Sequence, residues 1–242
     1  MRIAQIIARN ASEYEKKCQR VDRVAMAAEH EIVDRESEAD VVHVYGSGVR
    51  RPRRRWFPIA AAWPPHSITP LPTGANFVPE AVEEQYLAPA ASAGNGVGVF
   101  VRPSIRDVLE LTRIRLHRTR DDVVWHLFDR VPTPADIAQV AVWFDPAVAD
   151  DDFDGFVAEA MAMGRLVVAA RTPINVQRLE KGRTGFLVPQ RDANEMTHAI
   201  LAALFKPEIG RPRSDAARQT VSKFRPRQRV RALTGLYERL RS

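Results

Sequence analysis

The sequence has a single cysteine, Cys18, and no apolar run approaching the roughly 20 residues that a bilayer-spanning helix needs. An internal disulfide is therefore excluded, and any association with a membrane has to be peripheral. The opening Met-Arg-Ile-Ala-Gln-Ile-Ile-Ala lacks the long apolar core and small-residue cleavage site of a secretory signal, so a reducing, cytoplasmic setting is expected. No nucleophile motif or metal-ligand spacing stands out, and no cofactor is expected. What is present is an ordinary globular composition, 45% hydrophobic and 27% charged over 242 residues, enough for one good core or two small ones.

The net charge of +6 is unevenly placed. Residues 206–242 hold eleven Lys or Arg against three Asp or Glu, and Arg50, Arg51, Arg53, Arg54 and Arg55 lie almost together, which leaves the remainder net acidic. Such a field suits an anionic partner: a phosphate-bearing substrate, an anionic lipid surface or a nucleic acid. No recognition-helix or aromatic-platform motif accompanies the charge, which argues against nucleic acid. Trp56 and Phe57 follow the arginine run directly, and that juxtaposition fits a surface of phosphate headgroups, giving a peripheral location at the inner face of the membrane. A solvated basic loop fits the same residues.

Along the chain, strands alternate with helices. Arg2 to Ala8 reads as a strand, Ser12 to Glu15 as a capping box, and Tyr14, Cys18, Val21, Ala25 and Ala28 as the stripe of a helix packed on a sheet. Asp40 to Tyr45 follows as a buried strand ending at Gly46-Ser47-Gly48. From Arg50 to about Gly96 the pattern gives way to Arg, Pro and small residues, so regular structure there should be sparse. Strands are then predicted at Val97–Val101, Val123–Phe128, Val140–Phe144, Leu166–Ala170 and Phe186–Val188. Helices are predicted after Ser104, at Thr133-Pro134, from about Phe156 to Met163, and along the stripe Met196, Ala199, Ile200, Ala203 and Leu204. Repeated βα units imply a doubly wound parallel sheet with its ligand at the carboxyl ends of the strands. The domains read as 1–95, an N-terminal lobe with the Pro/Arg-rich segment, 96–220, a Rossmann-like domain, and 221–242, a C-terminal helix.

The segment from Asp151 to Ala169 carries the most chemistry. An acidic residue at Asp151, seven intervening residues, Glu159, then Ala160-Met161-Ala162, Gly164 and an apolar strand are followed by Lys181 to Pro189, Asp192, Ala216-Ala217-Arg218, Phe224 and Leu236-Tyr237. This ordered series resembles the signature of retaining nucleotide-sugar glycosyltransferases of the large GT-B superfamily, group 1 or glycogen-synthase-like. The resemblance implies an α/β chain of two Rossmann-like doubly wound parallel-sheet lobes, here with the N-terminal lobe reduced. It also implies a retaining hexosyltransferase that moves a sugar from a nucleoside-diphosphate donor, UDP- or GDP-linked, to an acceptor hydroxyl. The acceptor stays open between lipid-linked and polysaccharide.

By the same resemblance, Glu159 would hold the ribose hydroxyls and Asp151 would contact the transferred sugar. The amides around Gly155 and Phe156, at a helix start, would hold the diphosphate. Arg102 would match the arginine that neutralises the leaving group, and Arg106 would stand where the family has lysine, an exchange that is not neutral. His66, in Trp63-Pro64-Pro65-His66, would correspond to a histidine of the N-terminal lobe, whereas His43, within a strand, fits the core better. The chain departs from the pattern at Pro173-Ile174 and Gln177, where the family has a Gly-Gly turn and then Glu, and at Asp152 and Asp154, where it has glycines. Those departures, with the short chain, keep open a non-catalytic sugar-nucleotide-binding or scaffold relative.

Overall fold

In the computed structural model, residues 1–7, 9, 13–45, 56–58, 81–88, 95–149, 155–221 and 225–241 are described. Asp151, His66, the Arg50–Arg55 run and Ser12 lie outside them. The chain forms two compact units, Met1–Glu83 with Lys223–Ser242, and Glu84–Ser222.

The first unit holds a parallel sheet of β1 (Arg2–Ile7), β2 (Glu31–Val33), β3 (Val41–Tyr45) and β4 (Trp56–Pro58), in the order β2-β1-β3-β4. Helix α1 (Glu13–Met26) connects β1 to β2. Of its expected stripe, Cys18 and Val21 are buried, while Ala28 falls in the turn beyond the helix end and is exposed. The C-terminal helix α8 (Pro226–Arg241) packs Val230, Leu233, Leu236 and Tyr237 against Ile3, Met26 and Val41. His43 is fully buried, as its strand position predicts. Its Nδ1 pairs with the Tyr237 hydroxyl, its ring stacks on Tyr45 at 4.1 Å, and burial holds its pKa well below the usual histidine value.

The second unit is a five-stranded parallel sheet of β5 (Gly96–Phe100), β6 (Val124–Phe128), β7 (Val142–Asp145), β8 (Leu166–Ala170) and β9 (Phe186–Val188). Its order is β6-β5-β7-β8-β9, so the direction of winding reverses between β5 and β7. The helices are α2 (Arg106–Thr119), α3 (Pro134–Ala138), α4 (Val157–Ala162), α5 (Pro173–Arg178), α6 (Ala193–Phe205) and α7 (Pro207–Thr220). The Thr133-Pro134 start is a full capping box: Thr133 accepts from the Asp136 amide and Asp136 accepts from the Thr133 amide.

Alternation along the strands separates two cores. Val97, Val99, Val142, Phe144 and Val168 face α2 and α6, where Ile105, Leu116, Met196 and Ile200 complete an apolar cluster. Each such fully buried aliphatic side chain contributes about 1.5–3 kcal/mol of transfer free energy. Trp143 and Asp145 point to the opposite face, where the chain enters α4. Helix α7 was not foreseen. Its buried positions, Gly210, Ala217 and Thr220, are too small to register as an apolar stripe, and Pro212 lies inside it. A Cβ on Gly210 would come within 2.9 Å of Leu166, so the small residue is what lets α7 approach β8.

Candidate functional site

In doubly wound sheets the ligand crevice lies outside the carboxyl ends of the strands, where the strand order reverses. Here that point is the end of β5 beside the end of β7. The chain leaves β5 through Val101 and Arg102, and leaves β7 at Asp145. Arg102 donates from Nη2 to Asp145 Oδ1 at 2.7 Å and from Nη1 to the Phe100 carbonyl at 3.3 Å. The pair is well shielded, with relative exposures of 9% for Arg102 and 1% for Asp145.

The second carboxylate oxygen of Asp145 accepts from Asn175 Nδ2 at 2.9 Å. That same nitrogen also donates to the Ala170 carbonyl at 3.1 Å. Both of its neighbours are acceptors, so the amide orientation is determined, and Asn175 Oδ1 faces no donor among the described residues. Asn175 is placed by α5. The Thr172 side chain accepts from the Asn175 amide at 3.2 Å, and Pro173 occupies the first helical position, where its missing N–H breaks no helix bond. The Pro173-Ile174 departure thus builds a capped helix start that aims Asn175 at Asp145.

Gly155 lies flat against the same carboxylate, and any Cβ there would overlap Asp145. Trp143, two residues earlier on β7, donates its indole N–H to the Gly155 carbonyl at 2.7 Å. Two side chains on one face of β7 thereby grip the residue that leads into α4. Phe156 follows in a left-handed conformation, φ 53°, and its ring meets Phe100 edge-on at 5.0 Å between centroids. Glu159, in the first turn of α4, is 1% exposed.

Of the residues proposed from sequence, Arg102, Gly155 and Phe156 converge around Asp145 and the end of β5, and Glu159 lies one turn into α4. Arg106 opens α2 as an exposed residue. Asp145, Asn175 and Trp143 were missed. Asp145 had a signal: a lone acidic residue closing the apolar run Val142-Trp143-Phe144, at the strand end where ligands gather. Among the described residues no three His, Cys, Asp or Glu side chains come together as a metal site requires.

The sequence profile of the family described as Glycosyl transferases group 1 matches residues 98–205, which run from β5 through α6. No curated protein matches the chain. A glycosyltransferase from Rickettsia africae ESF-5 superposes with a TM-score of 0.70 at 11% identity, over 99% of this chain and 98% of that one. HepE of Anabaena, solved in complex with UDP, gives 0.68 at 11% identity over 99% and 100%. The sucrose-phosphate synthase of Thermosynechococcus elongatus gives 0.69 at 12% identity over 99% and 99%. The fold is that of the GT-B glycosyltransferases. At these identities the structural likeness speaks for the fold, and together with the profile match it supports sugar transfer in general terms.

Proposed function

We propose that the chain is a glycosyltransferase that takes its sugar from a nucleoside-diphosphate donor and transfers it, with retention, to an acceptor hydroxyl. The observation that carries the reading is Arg102 at the carboxyl end of β5, beside the strand-order reversal. A guanidinium there suits a diphosphate, because its planar donors match phosphate oxygens two at a time. Arg106, exposed at the start of α2, adds a second cation, and Glu159 is the proposed acceptor for the ribose hydroxyls. HepE has been solved with UDP and with UDP-glucose, which makes UDP the first donor nucleotide to test.

In this reading the bond between the sugar C1 and the phosphate oxygen breaks, and its electron pair stays on the leaving diphosphate. The acceptor oxygen bonds to C1 on the same face, and its proton passes to a diphosphate oxygen. Arg102 and Arg106 act by stabilising the charge that grows on the leaving group. Asp151 is the proposed contact of the transferred sugar, and His66 is the proposed catalytic histidine. The acceptor, lipid-linked or polysaccharide, is left to experiment. Docking on an anionic membrane through Arg50, Arg51, Arg53, Arg54 and Arg55 is the proposed location of the reaction.

A second reading is a donor-binding relative without turnover. The Arg102–Asp145 pair favours it, since an arginine already balanced by a carboxylate offers less net charge to a leaving group. Calorimetry with UDP, GDP and their sugar conjugates, followed by an assay of donor hydrolysis, separates the two. Binding with turnover supports transfer, binding without turnover supports the second reading, and no binding overturns both.

A further inference from the structure

We infer that Asp145 is the positioning residue of this site: its carboxylate sets where the Arg102 guanidinium meets the donor diphosphate. The inference rests on the nucleotide-sugar reading above. Both oxygens of the buried Asp145 carboxylate are already engaged, one by Arg102 and the other by Asn175, so what it does to a ligand passes through a neighbour. Arg102 is that neighbour, joined to it at 2.7 Å at the end of β5 and itself 9% exposed.

Three separate elements are built to hold this one carboxylate. Arg102 follows β5, Asn175 is presented by the capped start of α5, and Gly155 yields the space that any side chain would occupy. A buried ionic cluster is a poor choice for stability alone, since apolar residues of similar volume usually serve as well or better. Its value lies in direction. A carboxylate with both oxygens engaged cannot rotate, and an arginine bonded to it and to the Phe100 carbonyl keeps its plane. The guanidinium is then preorganised for the phosphate at no further cost in side-chain entropy.

Asp145→Asn tests this. An amide is neutral and has one acceptor oxygen where the carboxylate has two, so Arg102 loses its charge partner, and either Arg102 or Asn175 also loses its hydrogen-bond acceptor. The full chain is titrated with UDP and with uridine by calorimetry, and its melting is recorded. UDP affinity should fall roughly fivefold or more while uridine affinity stays within about twofold. In an Arg102→Gln background the same substitution should cause no further loss of UDP affinity, because the effect passes through Arg102. Equal losses for both ligands, unchanged UDP affinity, or additivity with Arg102→Gln overturns the inference. If Asp145→Asn does not fold, Asn175→Ala releases one oxygen of Asp145 and should give a smaller loss of the same selectivity. Equal loss of UDP and uridine there overturns it equally. A wild type that binds no nucleoside diphosphate defeats the functional reading itself, an outcome distinct from a wild type that binds UDP and a variant that binds it as well.

Discussion

Arg229 forms a two-pronged ion pair with Asp22, which precedes it by 207 residues: Nε lies 2.5 Å from one carboxylate oxygen and Nη2 2.9 Å from the other. Both side chains are essentially without solvent contact, and the Tyr45 hydroxyl donates to the same carboxylate at 2.8 Å. Removing one partner leaves an uncompensated buried charge, so Asp22→Leu should cost about 3–5 kcal/mol. Joining it with Arg229→Met should recover most of that loss. Urea denaturation followed by circular dichroism checks both, and additive losses would show that the pair is not a unit.

Glu159→Ala is expected to weaken UDP binding roughly tenfold or more, since a charge-assisted hydrogen bond is worth about 1.5–3 kcal/mol. Calorimetry on a variant that melts with a single sharp transition makes the comparison. Unchanged affinity would remove Glu159 from the donor site.

Arg102→Ala and Arg106→Ala should both impair UDP binding far more than uridine binding. They should differ in stability. Arg106 is exposed, and its loss should stay within about 0.5 kcal/mol. Loss of Arg102 strands the buried Asp145 carboxylate and should cost several-fold more, about 2–4 kcal/mol. Equal melting temperatures for the two variants would contradict the buried pairing.

Acid titration should expose the α3 cap. Hydrogen bonds from Arg130, and then from the Thr133 amide and hydroxyl, lower the Asp136 pKa from the ordinary aspartate value of 3.8 to about 2. A carboxylate depressed in the folded state adds stability that is complete above its unfolded pKa and vanishes as pH falls through its folded pKa. Its contribution should therefore disappear between pH 3.8 and about 2. Arg130 is largely exposed, so most of the effect belongs to the cap, and Asp136→Ala should cost about 1 kcal/mol at neutral pH. The difference between wild type and variant should shrink across that window, as read by thermal melts.

The Arg50–Arg55 run should bind anionic vesicles in co-sedimentation, weaken as salt is raised, and lose binding when the five arginines become glutamine. Each arginine near such a surface contributes about 1 kcal/mol. Salt-sensitive binding to RNA or DNA with no affinity for anionic vesicles would replace the membrane assignment with a nucleic-acid one.

The βα alternation from Gly96 to Phe205 was legible because it is written in local periodicity. Runs such as Leu166–Ala170, buried on both faces, and caps such as Thr133-Pro134 declare their elements within a few residues. The Glu159 segment was legible as an ordered motif. Helix α7 was not, since Gly210 and Ala217 acquire meaning only from the β8 surface that they approach. Nor could sequence pair Arg102 with Asp145, or Asn175 with Asp145, contacts that span 43 and 30 residues. Local pattern determines which segments become strands and helices, because the apolar period is set by neighbours in the chain. Which polar groups meet at the strand ends is decided by parallel strand order, which brings β5 beside β7 and leaves a buried carboxylate to be satisfied by whatever donors the fold delivers.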